Sequence, residues 1–242
     1  MSLTRFVFGT DNHGILVNQD DATAFFKFCA EFKPHLRIHG GDNWDLAGLR
    51  RGADPKEEGD DIAPDWDAGM QFLRQFRPHV FLLGNHDWRL WKASRDWRGA
   101  TRSWAAGKIG EIEAEARKLK CRVFPYHSRD GVYKYGNLSF LHGYHAGIGA
   151  VAQHARVYRN CIFGHLHSNG CVTERGIDTP TAFVVGGLGD HSKMEYAAQR
   201  TATLAWGPGW AYGVINEKTG SFQCWIAQKM DGRFIYPNGF NA

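Results

Sequence analysis

The strongest constraint on the fold is a set of five short apolar runs, each followed by glycine or histidine and further polar residues. The runs are rich in Val, Ile, Leu and Phe, which is typical of buried strands. They cover residues 3–8, 36–38, 80–83, 138–141 and 160–163. Two segments between the early runs, 20–33 and 66–77, place apolar residues at helical spacing. This strand–helix alternation predicts an α/β fold with parallel strands in the first half.

The second half of the chain is mostly β in character. A third helical pattern covers residues 108–119, and short strand patterns dominate after it. They occur at residues 183–185, 212–215 and 222–226. Because the 242 residues contain no internal repeat or long linker, we expect a single domain that spans residues 1–242.

The polar residues after the five runs carry the functional information. In order, they are Gly-Thr-Asp-Asn-His (9–13), Gly-Gly-Asp-Asn-Trp-Asp (40–45), Gly-Asn-His-Asp (84–87), His-Gly (142–143) and Gly-His-Leu-His (164–167). Ligands bind beyond the carboxyl ends of strands in open α/β sheets, so these clusters are expected to converge. An isolated aspartate after a strand is usually a turn or helix cap, but the combined set favours metal ligation. Carboxylate, imidazole and amide groups without thiolate suit Mn, Zn, Fe or Ni, and their number suits two ions.

The motifs Asp-x-His, Gly-Asp-x-x-Asp, Gly-Asn-His-Asp, His-Gly and Gly-His-x-His occur in this order between residues 11 and 167. Together they resemble the calcineurin-like metallophosphoesterase superfamily. The C-terminal part, with Gly186-Gly187 and a Trp-Gly-Pro-Gly-Trp stretch at 206–210, looks like its phage and bacterial branch. The resemblance implies a four-layer α/β/β/α sandwich of two mixed sheets flanked by helices. It also implies a dinuclear, metal-dependent phosphoesterase.

The resemblance assigns seven residues to two metal sites. It implies that the first ion is held by Asp11, His13 and His167, the second by Asn85, His142 and His165, and that both share Asp42. The implied cofactors are two divalent ions, with Mn expected and Zn, Fe or Ni as alternatives. The implied nucleophile is a metal-bound hydroxide, since a bound cation lowers the pKa of water. His145 lies three residues after His142 and is the alternative ligand there.

Two further residues are implied to be catalytic. His86 would face the leaving group as a proton donor or transition-state stabiliser, and Asp45 would orient it. Asp87 is interpreted as a helix cap. No role is assigned to the remaining histidines, which are His35, His39, His79, His127, His154 and His191.

Residues 88–108 form a segment rich in tryptophan, arginine and lysine, which we interpret as a cap or lid. Either its tryptophans pack on the body, or the segment contacts substrate, with Arg89 and Lys92 as the candidate contacts. Aromatic rings that stack on bases and cations that bind phosphates favour a phosphodiester substrate, a nucleotide or a nucleic acid. A phosphatase of small monoesters and a nucleic-acid-binding protein with structural metals stay open. The complete ligand set disfavours a non-catalytic binding module.

Composition indicates the cellular compartment in which we expect the protein. The five cysteines, at positions 29, 121, 161, 171 and 224, form no CxxC pair and fit a reducing cytosol. No apolar run approaches the ~18 residues of a membrane span, and the N-terminus lacks a signal-peptide pattern. We therefore expect a cytoplasmic protein without a membrane partner, and the sequence does not predict its oligomeric state. The acidic residues of the segment 54–67 are interpreted as a solvated loop.

Overall fold

Twelve strands and five α-helices are present in a computed structural model that describes residues 2–50, 52–53, 61–194 and 201–236. The strands are β1 (Leu3–Gly9), β2 (Leu36–His39), β3 (Val80–Leu82), β4 (Arg122–Phe124), β5 (Tyr133–Tyr135), β6 (Leu138–Phe140), β7 (Cys161–Phe163), β8 (Gly170–Thr173), β9 (Thr181–Val184), β10 (Gly209–Asn216), β11 (Phe222–Met230) and β12 (Arg233–Ile235). The helices are α1 (Gln19–Phe32), α2 (Ile62–Phe76), α3 (Trp88–Ala93), α4 (Gly99–Leu119) and α5 (Ala150–Tyr158).

The strands form two mixed sheets. The first has seven strands in the order β12-β11-β10-β1-β2-β3-β4, and the second has five in the order β5-β6-β7-β9-β8. In the first sheet β1 to β4 run parallel, and β10 to β12 continue it antiparallel beside β1. In the second sheet β6, β7 and β9 are parallel. The carboxyl ends of β1, β2 and β3 therefore lie at one edge of the first sheet, and those of β6 and β7 at one edge of the second.

Side-chain alternation along β1 determines the layers. Phe6 and Phe8 face the second sheet, and the ring of Phe6 lies 5.4 Å from that of Phe140 on β6. Val7 points to the opposite face, where it packs with Phe25 of α1. Because successive residues of a strand point to opposite faces, a strand buried on both sides reads as a continuous apolar run.

Helices cover the outer faces of both sheets. The helix α1 packs on the first sheet beside Trp210 and Tyr212 of β10, and α2, α3 and α4 share a second cluster around Phe81 of β3. The helix α5 packs Ala155 against Phe163 on the second sheet. The predicted arrangement of two mixed sheets flanked by helices is confirmed.

The acidic segment 54–67 differs from its interpretation as a solvated loop. Residues 54–60 lie outside the described residues, whereas α2 begins at Ile62, capped by the Asp61 side chain, which accepts from the Ala63 N–H. Trp66 is buried and stacks on Trp44 at 4.9 Å between centroids. The loop interpretation is therefore wrong for the part that forms α2. The first turns of this helix pack on the core through the buried Trp66.

The tryptophan-rich segment 88–108 forms α3 and the first half of α4. Trp88 and Trp91 stack at 5.8 Å and pack against the apolar cluster that also buries Leu90. Trp97 follows α3 and is 87% exposed. The first two tryptophans thus support packing on the body.

No helix among the described residues is both long and apolar enough to cross a membrane.

Candidate metal centre

The five motifs follow β1, β2, β3, β6 and β7 and meet beyond the ends of these strands. Backbone hydrogen bonds join the loops, as from the Asp11 N–H to the Gly41 carbonyl at 2.9 Å. Glycine allows this close approach at two points. A Cβ atom at Gly164 would collide with the carboxylate of Asp11, and one at Gly84 would collide with that of Asp42. These two glycines therefore leave the space that the carboxylates of Asp11 and Asp42 occupy.

Asp11, His13 and His167 form the first group of candidate ligands. Oδ1 of Asp11 lies 3.6 Å from Nε2 of His167 and 4.0 Å from Nε2 of His13. The other oxygen, Oδ2, accepts hydrogen bonds from the Thr10 hydroxyl at 2.6 Å and the His165 N–H at 3.1 Å. One carboxylate oxygen is thus held by the protein, while the other faces two imidazole nitrogens.

Asp42, His142 and His165 form the second group, and Asn85 lies beside it. Nε2 of His142 lies 3.3 Å from Oδ2 of Asp42 and 3.0 Å from Oδ1 of Asn85. Nδ1 of His142 donates to the Gly40 carbonyl at 2.8 Å, so Nε2 is directed at the group. The structure therefore brings together all seven predicted ligands. His145, the alternative to His142, instead has its ring 5.0 Å from that of His154.

The first group fits a cation. Among the described residues, Oδ1 of Asp11 and Nε2 of His13 are buried and have no hydrogen-bond partner. A buried polar atom without a partner costs about 1–3 kcal/mol, and these two atoms face the same space. A divalent ion would satisfy both, and the donor set of carboxylate and imidazole is one that such ions take.

Five of the seven predicted ligands have left-handed backbone conformations, which non-glycine residues rarely adopt. They are Asp11 (φ 53°), His13 (φ 50°), Asp42 (φ 50°), His165 (φ 65°) and His167 (φ 52°). Each such residue costs about 1–3 kcal/mol, and strained residues of this kind cluster at functional sites. The concentration of strain here is an indication of function that is independent of the side-chain chemistry.

The carboxylates control the charge of two of the histidines. Burial lowers the pKa of His13, but the hydrogen bond to Asp45 and the nearby Asp42 outweigh it and raise the pKa to about 9. Burial also lowers the pKa of His142, but the charge of Asp42 and its hydrogen bond outweigh burial and raise the pKa to about 9. Both rings are therefore protonated at neutral pH without metal. A cation that binds here takes the place of these protons.

The other two histidines are neutral. Burial lowers the pKa of His165 to about 3, and the charge of His142 acts in the same direction. Burial also places the pKa of His167 well below its usual range, with a further contribution from His13. These rings are ready to ligate at neutral pH without losing a proton.

Asp45 joins the predicted proton donor to a predicted ligand. Its Oδ1 lies 2.9 Å from Nδ1 of His86 and 3.0 Å from Nδ1 of His13. Burial alone would raise the pKa of Asp45, but the hydrogen bonds from His13 and His86 hold it far below the usual range. The backbone N–H of His86 donates to Oδ1 of Asp42 at 2.7 Å. Asp45 thus stays ionised and orients two imidazoles.

The structure brings one of the two predicted substrate contacts to this site. Nη1 of Arg89 donates to the Asp45 carbonyl at 2.7 Å, and Nη2 lies 3.3 Å from Nε2 of His86. Lys92 lies one helical turn further along α3, with its side chain exposed. Arg89 is therefore fixed beside His86, whereas Lys92 is not part of the cluster.

Asp87 occupies the N-cap position of α3, as interpreted, but its side chain makes no capping hydrogen bond to the helix. Instead, Oδ1 accepts from the N–H groups of Asn43 at 2.9 Å and Trp44 at 3.2 Å, and Oδ2 accepts from that of Gly84 at 2.8 Å. Burial, together with the charge of Asp42, raises the pKa of Asp87 to about 7. Asp87 thus joins the loop after β2 to the loop after β3.

Three residues around the site were not singled out from the sequence. Asp65 accepts from the backbone N–H groups of Leu46 at 2.9 Å and Asp45 at 3.3 Å. Nε2 of His191 lies 3.2 Å from Nδ1 of His167, and Trp206 stacks on His167 at 4.5 Å and 21°. Trp206 begins the Trp-Gly-Pro-Gly-Trp stretch, but no site role was assigned to it, and the other two lie in no recognisable motif. The sequence signals for these residues are weak. Asp65 lies within an acidic run, and His191 and Trp206 lie near glycines.

No protein-family model matches the chain, and no curated protein matches it. Among solved structures, the chain is similar to vacuolar protein sorting 29 from Cryptosporidium parvum, with a TM-score of 0.54, 12% identity, and 96% of this chain and 95% of that one covered. A metallophosphoesterase from Sphaerobacter thermophilus gives a TM-score of 0.47 at 14% identity, with 93% and 88% covered. A predicted phosphoesterase from Streptococcus pneumoniae gives 0.41 at 15%, with 94% and 91% covered. The similarity to the first establishes a shared fold, and the relation to a phage and bacterial branch stays a prediction.

Proposed function

We propose that this protein is a phosphoesterase that uses two divalent metal ions, with Mn as the expected metal. The first ion would be held by Asp11, His13 and His167, the second by Asn85, His142 and His165, with Asp42 shared between them. The observation that carries the proposal is the unsatisfied pair of buried atoms, Oδ1 of Asp11 and Nε2 of His13, beside a second group of ligands. Asp42 acts on the pKa of both His13 and His142, which supports its position between the two groups.

The residues around the ligands suit hydrolysis of a phosphate ester. Two divalent ions held by these ligands would supply Lewis acidity toward phosphoryl oxygens and would lower the pKa of a bound water. His86 is outside both ligand groups, and its Nδ1 lies beside Asp45. Its Nε2 faces the guanidinium of Arg89, which can only donate, so the proposed role as proton donor to the departing oxygen requires that a substrate replace Arg89 as the partner of this nitrogen. Asn85 is a neutral ligand and limits the negative charge that an anionic substrate meets.

Arg89 adds a fixed positive charge to this arrangement. Two backbone carbonyls, those of Asp45 and Leu46, accept from its Nη1 at 2.7 and 3.3 Å. The guanidinium is therefore held in place before any substrate arrives, with its Nη2 beside Nε2 of His86. A guanidinium in this position can donate to a phosphate oxygen.

We propose a phosphodiester substrate, a nucleotide or a nucleic acid. The support is the surface around α3, where Lys92 and Arg95 are exposed and Trp97 is 87% exposed. An exposed ring can stack on a base while cations meet the phosphates. The packing of Trp88 and Trp91 on the body restricts this surface to the residues that follow them.

Arg89 favours a second candidate, a phosphatase of small monoesters. A phosphomonoester carries up to two negative charges against one on a diester, so it gains more from a fixed guanidinium. The two candidates differ in which substrate is turned over faster, and the same experiment separates them.

The test is a matrix of metals and substrates on the purified protein. Mn, Ni, Zn and Mg are each combined with an aryl phosphomonoester, a bis-aryl phosphodiester, cyclic nucleotides, and single- and double-stranded DNA. We expect the highest kcat/KM on diesters with Mn, and the His165→Asn variant, which lacks a ligand of the second ion, serves as the inactive control. Faster turnover of the monoester supports the phosphatase. Binding of DNA without turnover in any metal contradicts both and indicates a nucleic-acid-binding protein.

A further inference from the structure

We infer that His191 is a positioning residue for the first metal site, where it accepts the Nδ1 proton of His167 and so fixes the ring with Nε2 directed at the ion. This inference rests on the proposed function, since it assigns a role to a residue outside the seven predicted ligands. It concerns the protonation and orientation of a ligand and requires no step of the reaction.

The two nitrogens of His167 face different partners. Nε2 lies 3.6 Å from Oδ1 of Asp11, and Nδ1 lies 3.2 Å from Nε2 of His191. A neutral imidazole has one N–H, and a ring that ligates through Nε2 carries that proton on Nδ1. Metal-binding histidines almost always donate this second N–H to an acceptor, which here is His191.

Two other predicted ligands follow the same pattern. Nδ1 of His13 donates to the carboxylate of Asp45 at 3.0 Å, and Nδ1 of His142 donates to the Gly40 carbonyl at 2.8 Å. The acceptor for His167 differs because it is an imidazole, which accepts only when the nitrogen that faces His167 carries no proton.

The loop that carries His191 is anchored to the ligand loop. The N–H of Gly189 donates to the Asp11 carbonyl at 2.9 Å, and the N–H of Asp190 donates to that of Leu16 at 2.6 Å. The side chain of Asp190 then accepts from the Ser192 N–H at 3.1 Å, which begins the short 3-10 turn from His191 to Lys193. The position of His191 is therefore determined by the backbone next to Asp11.

Trp206 contacts the rings of both His167 and His191. Its ring stacks on His167 at 4.5 Å and lies 5.1 Å from the ring of His191. The N–H of Gly207 donates to the His167 carbonyl at 2.8 Å and places the tryptophan there. Stacking restricts the plane of the His167 ring, whereas the hydrogen bond from Nδ1 selects its tautomer.

The test compares His191→Phe with His191→Gln by calorimetric titration of Mn into the metal-free protein. Phenylalanine keeps an aromatic ring beside Trp206 but removes the acceptor, whereas glutamine presents an amide oxygen close to the position of Nε2. We expect His191→Phe to weaken one of the two Mn affinities by ~10- to 100-fold and to leave the other unchanged. His191→Gln should restore most of the loss. The matched control, His35→Phe, replaces an exposed histidine before β2 and should bind as the wild type does.

Two outcomes overturn the inference while leaving the proposed function intact. They are a wild-type affinity in His191→Phe, or a glutamine variant as weak as the phenylalanine variant. If neither variant folds, imidazole NMR of the Mg-loaded wild type decides, since the inference requires an unprotonated Nε2 on His191 that is hydrogen-bonded to the Nδ1 proton of His167, and a proton on Nε2 of His191 overturns it. A wild type that binds no metal contradicts the proposed function itself.

Discussion

Oδ1 of Asp45 lies 2.9 Å from Nδ1 of His86, and the same oxygen lies 3.0 Å from Nδ1 of His13. The rings of the two histidines meet nearly perpendicularly, with centroids 4.6 Å apart. One carboxylate oxygen thus orients both a predicted metal ligand and the predicted proton donor. The resemblance implied a partnership of Asp45 with His86 alone, whereas in the structure the same carboxylate also contacts His13.

Replacing Asp45 should therefore affect metal binding as well as chemistry. In Asp45→Asn, the amide cannot provide an ionised oxygen to two imidazole N–H groups. We expect the affinity of the first site for Mn to fall by ~10- to 100-fold, together with a lower kcat. Metal titration and steady-state kinetics measure the two effects. Asp61→Asn is the control, because among the described residues Asp61 caps α2 and asparagine caps equally well. An unchanged metal affinity in Asp45→Asn would show that His13 does not depend on this carboxylate.

His86→Asn should separate chemistry from metal binding. His86 lies outside both ligand groups of the proposal, so the variant should keep two ions and lose kcat by ~10²- to 10⁴-fold. The loss should be large for an alkoxide leaving group, as in DNA, and small for p-nitrophenolate, which departs without a proton. His165→Asn should instead lose the second ion and activity on every substrate. Equal slowing of both leaving groups by His86→Asn, or loss of a metal, would refute the role as proton donor.

Arg89 and Lys92 should behave differently, although both lie on α3. Arg89 is fixed beside His86, so Arg89→Ala should lower kcat/KM on every phosphate ester. Lys92 is exposed, so Lys92→Ala should raise KM for DNA only and flatten the salt dependence of DNA binding. Kinetics on DNA and on a small aryl diester at several salt concentrations make the comparison. If Lys92→Ala impairs the aryl diester as strongly as Arg89→Ala does, the distinction between the two positions is wrong.

Metal affinity should increase with pH. Without metal, His13 and His142 have pKa values raised to about 9, so both rings hold protons that a metal must displace. Because the raised pKa favours the protonated ring, metal binding is weakest at low pH and strengthens until the pH passes about 9. The expected slope is about tenfold per pH unit for each proton displaced. Calorimetric Mn titrations from about pH 6.5 to about pH 8.5, in buffers of different ionisation enthalpy, count the protons released. No release over this range would contradict the assignment.

The convergence of the motifs could be predicted from the sequence because it follows from strand direction. Parallel strands carry their carboxyl ends to one edge, so residues after β1, β2 and β3 must lie near one another. Asp11, Asp42 and Asn85 meet for this reason. The apolar runs likewise indicated the buried strands on which the two sheets pack.

The contacts around these ligands could not be predicted, because they depend on distant parts of the chain. His191 reaches His167 only through a loop anchored on Asp11, and no residue spacing encodes that contact. Asp87 follows His86 directly and reads as a helix cap, yet its side chain points back to the loop after β2. The left-handed conformations of the ligands could not be predicted either, since most aspartates and histidines adopt other backbone conformations.

The most direct test of the two-metal proposal is anomalous diffraction from crystals of the wild-type protein grown with Mn. Two Mn peaks about 3.5–4 Å apart are expected. One should lie among Asp11, His13 and His167, and the other among Asn85, His142 and His165, with Asp42 between them. A single peak, two peaks that do not share Asp42, or no peak at these residues would contradict the proposal.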